Sequence, residues 1–129
     1  MPVEANEHII RAICSDKWDG ERLSPSLFKG ENLSVGRLAV ASLAAHWDIF
    51  RKFVEKPPER KLELIGEIEV AHLQRLGRSH RQAPTELTVE PQPLKDFESH
   101  AVIPQYITRG LASKIVDALT IHQPETNYC

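Results

Sequence analysis

The stretch LAVASLAAHWDIFRKFV, residues 38–54, decides the fold class, because it has the longest helical apolar period in the chain. Its apolar side chains recur every three or four residues in one stripe: Leu38, Ala41, Ala45, Ile49 and Phe53. A second set widens that stripe to an adjacent face: Leu43, Trp47, Phe50 and Val54. The pattern predicts a helix over residues 38–54, which the Pro57-Pro58 pair ends because neither proline can donate a helical hydrogen bond.

Short β-rich runs surround this helix on both sides. The predicted strands are His8–Cys14, Leu33–Arg37, Leu64–Val70, Thr85–Glu90 and His100–Ile103. Thr85–Glu90 alternates strictly between polar and apolar residues and is the cleanest strand signal. Leu64–Val70 is expected to run into a helical turn that ends at Gly77, and a second main helix is expected over Ile107–Leu119.

Strands outnumber the helices and partly precede them, so the order does not alternate as in a doubly wound fold. The sequence therefore predicts a single α+β domain over residues 1–122, in which two main helices cover a small mixed or antiparallel sheet. Residues 123–129 are polar and are expected to form a frayed tail. The expected core is Ile10, Phe28, Val35, Leu43, Trp47, Phe50, Ile65, Ile68, Leu87, Val89, Val102, Leu111, Ile115 and Leu119.

Composition excludes several classes of protein. Sixteen Lys and Arg against eighteen Asp and Glu give a net charge of −2, so the global charge does not attract nucleic acid or an anionic membrane. No apolar run approaches the roughly 18 residues of a membrane span, and we expect no membrane partner. The two cysteines, Cys14 and Cys129, are too few for a disulfide framework, which predicts a cytoplasmic protein. The thiols and imidazoles lack ligand spacing, so no metal or cofactor is expected.

Several short motifs resemble those of a group of small bacterial proteins of unassigned function. The shared pattern is an early Arg, a Ser-x-x-x-Phe, a Leu-Ser-Val and a His-Ala-x-Ile, found here at Arg11, Ser24–Phe28, Leu33–Val35 and His100–Ile103. The early arginine followed by serines is also similar, more faintly, to folds of the ADP-ribosyltransferase type. The first resemblance marks the polar positions Arg11, Ser24, Ser34 and His100, together with Phe28.

Those polar residues form one candidate ligand site. A guanidinium at Arg11 suits a phosphate or a carboxylate, hydroxyls at Ser24 and Ser34 suit positioning of such an anion, and His100 suits proton transfer. Each also has a structural explanation: an ion pair for the arginine, turns and helix caps for the serines, and a half-buried structural role for the histidine. No Gly-x-Ser-x-Gly pattern is present, so the sequence gives no support for a serine nucleophile.

One local cluster of basic residues stands apart from this site. It lies within residues 72–81 and consists of His72, Arg75, Arg78, His80 and Arg81. Residues 78–84 are polar and end at a proline, so we expect this basic segment to be a mobile, exposed loop. Such a cluster would bind a polyanion or an acidic partner weakly, or it would simply be solvated.

Two hypotheses for function stay open. The first is a non-catalytic binding or accessory protein of a bacterial multi-protein system, because no catalytic signature is present and the long helix has a broad apolar face for a protein partner. The alternative is a small, transferase-like enzyme acting on a phosphate-bearing ligand in a cleft lined by Arg11, Ser24, Ser34 and His100. Convergence of these four residues on one pocket would favour the alternative.

Overall fold

The computed structural model describes residues 2–55, 59–82 and 84–124, and it confirms an α+β fold. These described residues form three helices: α1 (Leu43–Val54), α2 (Val70–Arg78) and α3 (Arg109–Asp117). The strands are β1 (His8–Cys14), β2 (Leu33–Arg37), β3 (Leu62–Glu69), β4 (Glu90–Pro91), β5 (His100–Ile103) and β6 (Thr120–His122). Two short 3-10 turns, Ser15–Lys17 and Pro25–Phe28, lie between β1 and β2. None of the helices in these ranges is long and apolar enough to cross a bilayer.

The strands form one sheet in the order β4-β5-β2-β1-β3-β6, and all neighbours are antiparallel. Central β1 is apolar on both sides because both faces of the sheet are covered. Ile9 and Ile13 pack on one face against α2, α3 and the Pro25–Phe28 turn, whereas Ile10 and Cys14 pack on the other face against α1. The helices therefore lie on both faces, and the antiparallel form of the predicted sheet is the one observed.

Both predicted main helices begin later than expected because a capping side chain sets each start. α1 starts at Leu43 instead of Leu38, since Ser42 Oγ accepts a hydrogen bond from the backbone N–H of Ala45 at 3.1 Å. Thr108 Oγ1 plays the same role for α3 at the N–H of Leu111. The apolar period reports which side chains are buried and does not reveal where the caps lie.

The prediction of a strand over Thr85–Glu90 is wrong except at its last residue. Leu87 and Val89 are buried as the alternation implied, but the backbone of residues 85–89 pairs with none of the described strands. The N–H of Thr88 donates to Oε1 of Gln105 at 2.9 Å, so a side chain replaces the strand partner. Only Glu90–Pro91, as β4, pairs with β5.

The prediction that the basic segment, residues 72–81, is an exposed loop is also largely wrong. α2 continues to Arg78, so most of residues 72–81 is helical and not a loop. Gly77 lies inside this helix, where a Cβ atom would come within 2.5 Å of the carbonyl oxygen of Thr85. The glycine therefore allows a close backbone approach and does not end the helix.

The end of the chain differs as well. α3 ends at Asp117, and Thr120–His122 pairs with β3 as an edge strand that the sequence did not indicate. Gln123 and Pro124 are in no helix or strand, and the rest of the predicted frayed tail lies outside the described residues. The expected core residues are all buried except Leu43, Val102 and Leu119, which are partly buried.

Candidate functional site

The candidate site lies where β1 and β2 separate. Their pairing ends after Ile9↔Arg37 and Ile10↔Gly36, whereas the pairing of β1 with β3 continues along the whole of β1. The side chain of Arg11 bridges the gap beyond that point. Its Nε donates to the carbonyl oxygen of Leu27 at 2.7 Å, and NH1 donates to the carbonyl oxygen of Ser34 at 2.6 Å.

A pocket of about 150 Å³ opens over this gap on the α1 side of the sheet. Its polar lining includes three cations and a single carboxylate: Arg11, Lys17, Arg60 and Asp16. Apolar side chains form much of the remaining wall: Ala12, Leu27, Phe50, Val54 and Phe97. Ser34 and Cys14 are the other described residues of the lining, so this part of the pocket combines an excess of positive charge with an apolar wall.

Arg11 is a half-buried cation that pairs with no carboxylate among the described residues. Burial lowers the pKa of its guanidinium to about 10, so the group is still charged at neutral pH. A guanidinium has five N–H donors, and carbonyl oxygens use two of them. The ring of Phe28 supports the cation from one side, at 5.7 Å from the guanidinium carbon.

Ser34 and His100 are brought together from adjacent strands. Ser34 Oγ lies 3.0 Å from Nε2 of His100, and Nδ1 of that ring lies 2.8 Å from the carbonyl oxygen of Gln92. A carbonyl oxygen only accepts hydrogen bonds, so in the neutral ring Nδ1 carries the proton and Nε2 accepts from the serine hydroxyl. Phe97 packs edge-on against the ring, with the centroids 5.0 Å apart.

A second serine–histidine pair lies deeper beneath α1, and the sequence analysis missed it. His46 bonds the carbonyl oxygen of Ser42 through Nδ1 at 2.8 Å and the hydroxyl of Ser99 through Nε2 at 2.7 Å. Burial lowers the pKa of His46, which favours its neutral form. Gly36 lies against this ring. The apolar spacing of α1 could not reveal the pair, because Ser99 is distant in sequence.

Ser24 does not line the pocket that contains Arg11 and Ser34. Its Oγ accepts from the N–H of Ser26 at 3.2 Å and caps the Pro25–Phe28 turn, which is the structural role expected of such a serine. It lines a separate pocket, which shares Asp16 and Lys17 with the Arg11 pocket. The expected four-residue cleft therefore reduces to Arg11 and Ser34 in the pocket lining, with His100 behind Ser34.

The pocket also contains residues that the sequence did not nominate. Arg60 donates from Nε to the carbonyl oxygen of Val54 at 2.7 Å and lines the pocket. Cys14 is buried, and burial raises the pKa of its thiol, so it is not an activated thiolate. Phe97 reaches the pocket from the segment between β4 and β5. Long-range packing places these side chains together, and no local motif indicates it.

The basic residues on and after α2 lie apart from this pocket. Arg75, Arg78 and Arg81 are exposed, and Arg78 pairs with Glu86 at 3.1 Å. His80, in contrast, is buried with only 5% of its surface exposed, and no described residue forms a hydrogen bond with its Nδ1. Four of the five predicted basic residues therefore reach solvent at least in part.

Within the described ranges, no group of three or more His, Cys, Asp or Glu side chains is arranged to hold a metal ion. No protein-family model, curated protein or solved structure matches this chain. The resemblance to small bacterial proteins therefore stays a prediction. Any functional interpretation depends on the geometry of the Arg11 pocket.

Proposed function

We propose that this protein binds a small ligand through a phosphate or carboxylate group in the Arg11 pocket. The observation that carries the proposal is the guanidinium of Arg11, which lines a pocket while unpaired with any carboxylate in the described part of the chain. A half-buried charge without a counter-ion has lost part of its hydration, so an anion that enters the pocket gains a favourable partner.

The chemistry of the lining supports an anion in particular. Arg11 keeps three N–H donors that no described protein atom accepts, enough for the two parallel hydrogen bonds that a phosphate or carboxylate makes with a guanidinium. Arg60 and Lys17 add positive charge, whereas Asp16 is the single acid among the described residues of the lining. The apolar wall of Phe50 and Phe97 then suits a small organic part of the ligand.

The small volume limits what the site accepts. A pocket of about 150 Å³ accommodates a small molecule, or the anionic end of a larger one, but not a whole nucleotide. The neighbouring pocket along Trp18 and Ser24 shares Asp16 and Lys17, so a longer ligand would continue in that direction. The proposed ligand agrees with the phosphate-bearing ligand of the alternative hypothesis from the sequence, that of a small transferase-like enzyme, and it requires no protein partner.

A role as an accessory protein is the second candidate. Its original support was the broad apolar face of the long helix, but Trp47 and Phe50 are buried against the sheet. What favours it now is the exposure of Phe53 and Leu94, each 41% exposed, beside Phe97. The basic segment around α2 is a further candidate for weak binding to polyanions, and a cytoplasmic, bacterial origin stays a prediction from the sequence.

Isothermal titration calorimetry with inorganic phosphate, and separately with acetate, tests the proposed function. We expect saturable binding of at least one anion to the wild-type protein and loss of that binding in Arg11→Met. Arg51→Met is the matched control, because Arg51 is an exposed guanidinium on α1 that forms an ion pair with Asp48 at 3.3 Å and lies outside the described lining of the pocket. Absence of binding by the wild-type protein, or equal binding by Arg11→Met, would contradict the proposal.

A further inference from the structure

The pair formed by Ser34 and His100 has the geometry of an activated serine nucleophile. The carbonyl oxygen of Gln92 fixes the ring of His100 so that Nε2 presents its lone pair to the Ser34 hydroxyl at 3.0 Å. This is the arrangement in which a histidine takes the proton of an attacking serine while a third group orients the ring. A carbonyl oxygen here occupies the position that a carboxylate often holds.

Accessibility separates this pair from the similar pair under α1. Ser34 is exposed and lines the Arg11 pocket, while its base, His100, is only 5% exposed. Ser99 and His46 make the same type of hydrogen bond, but they are 1% and 0% exposed. A ligand can therefore reach the hydroxyl of Ser34, whereas the Ser99 pair is positioned to stabilise the packing of α1.

We propose that Ser34 is the nucleophile, and His100 the general base, in the hydrolysis of small carboxylic esters. This inference rests on the proposed function for substrate binding, since Arg11 would hold an anionic group of the same ester. The apolar wall of Phe50 and Val54 would receive the organic part of the molecule. The substrate class is thus a small ester that carries a carboxylate or phosphate.

The reaction proceeds in two balanced halves. Ser34 Oγ forms a bond to the ester carbonyl carbon as its proton passes to Nε2 of His100, and the bond to the alkoxy oxygen then breaks. His100 returns the proton to that oxygen, so an alcohol leaves and an acyl group stays on Ser34. Water then attacks the acyl carbon in the same way, which releases the carboxylic acid and restores the Ser34 hydroxyl.

The location of Arg11 supports its participation. Its NH1 lies 2.6 Å from the carbonyl oxygen of Ser34, the residue that supplies the nucleophile. The remaining N–H donors of a guanidinium fixed next to the attacking residue can stabilise negative charge on the ligand. The separation of β1 from β2 is what admits this side chain to the pocket.

An alkyl fluorophosphonate tests the nucleophile directly, because it phosphonylates activated serines. Attack by Ser34 Oγ on phosphorus expels fluoride, and intact-mass spectrometry followed by peptide mapping locates the adduct. We expect one adduct, on Ser34, in the folded wild-type protein. The adduct should be absent from Ser34→Ala and from heat-denatured wild-type protein, and it should form at least tenfold more slowly in His100→Gln.

Ser99→Ala is the matched control, because it removes the hydroxyl of the buried pair and should leave the adduct in place. A folded wild-type protein without an adduct, an adduct that persists in Ser34→Ala, or an unchanged rate in His100→Gln would overturn the inference. Calorimetry with phosphate on the same samples distinguishes the two proposals. Phosphate binding without an adduct contradicts only the nucleophile. An adduct without anion binding contradicts the proposed ligand site, and with it the anionic substrate class, but not the role of Ser34 as nucleophile.

Discussion

Replacement of Arg11 by Met should remove anion binding and change stability only modestly. The methionine keeps an unbranched apolar stem over Phe28 and removes the guanidinium. Two opposing terms then act on the free energy of unfolding. The substitution eliminates two charge-assisted hydrogen bonds, to the carbonyl oxygens of Leu27 and Ser34, at a cost of about 3 to 6 kcal/mol.

Relief of desolvation offsets much of that cost. Burial lowers the pKa of the Arg11 guanidinium from its ordinary value to about 10, which corresponds to about 3 kcal/mol against the charged form. The net loss of stability should therefore be about 0 to 3 kcal/mol. Affinity for an anion should fall by more than tenfold, because the bidentate partner is gone.

Urea denaturation measures the first quantity and calorimetry with phosphate measures the second. Arg11→Lys is a useful second variant, because a lysine keeps the positive charge but cannot donate to two carbonyl oxygens and an anion with the planar geometry of a guanidinium. A loss of more than about 5 kcal/mol in Arg11→Met, with unchanged affinity in the variant that still folds, would show that the guanidinium is structural. The reasoning about an unpaired cation would then be refuted.

Three further predictions concern the rest of the fold. Glu7→Gln should cost about 1 to 3 kcal/mol in urea denaturation at pH 7, because Glu7 accepts two hydrogen bonds from Arg37, at 3.0 and 2.9 Å, in a part-buried ion pair. The hydrogen bond from Arg37 lowers the pKa of Glu7. The stability that this pair gives the wild-type protein is therefore fully present above pH 4.5 and should be lost as the pH falls through the lowered pKa of Glu7. If wild type and variant lose stability identically between pH 7 and acid pH, this prediction is contradicted. Gly36→Ala should cost about 1 to 3 kcal/mol, because its Cβ would lie 2.6 Å from Nε2 of His46; an unchanged denaturation midpoint would exclude that clash. Replacement of the exposed Arg75, Arg78 and Arg81 by alanine should abolish retention on a polyanionic column with little change in Tm. If this triple variant unfolds instead, the three arginines have a structural role.

The sequence predicted those helices and strands in which the pattern of buried side chains matches the hydrogen bonding of the backbone. β1 and α1 are recognisable because a buried element leaves an apolar pattern of its own period. Thr85–Glu90 failed because alternation reports only which side chains are buried. The side chain of Gln105, from further along the chain, satisfies the backbone of Thr88, and no local pattern encodes that contact.

The candidate site was partly predictable for similar reasons. An arginine within an apolar strand is conspicuous, and Arg11 indeed lines the pocket. Ser24 was a weaker choice because serine before proline is already explained as a cap. Arg60 and Phe97 come from distant segments, and only the folded sheet places them next to Arg11. The hydrogen bond between Ser34 and His100 likewise depends on the register of β2 against β5.

The most direct test of the central claim is nuclear magnetic resonance of the Arg11 side chain during titration with inorganic phosphate. The Nε–H signal of Arg11 is assigned by its absence from Arg11→Met. We predict that this signal shifts progressively and saturates as phosphate is added, while the signal of the exposed Arg51 responds only weakly. An Arg11 signal that stays in place across the titration, or shifts no more than that of Arg51, would contradict the claim that this pocket binds the anion.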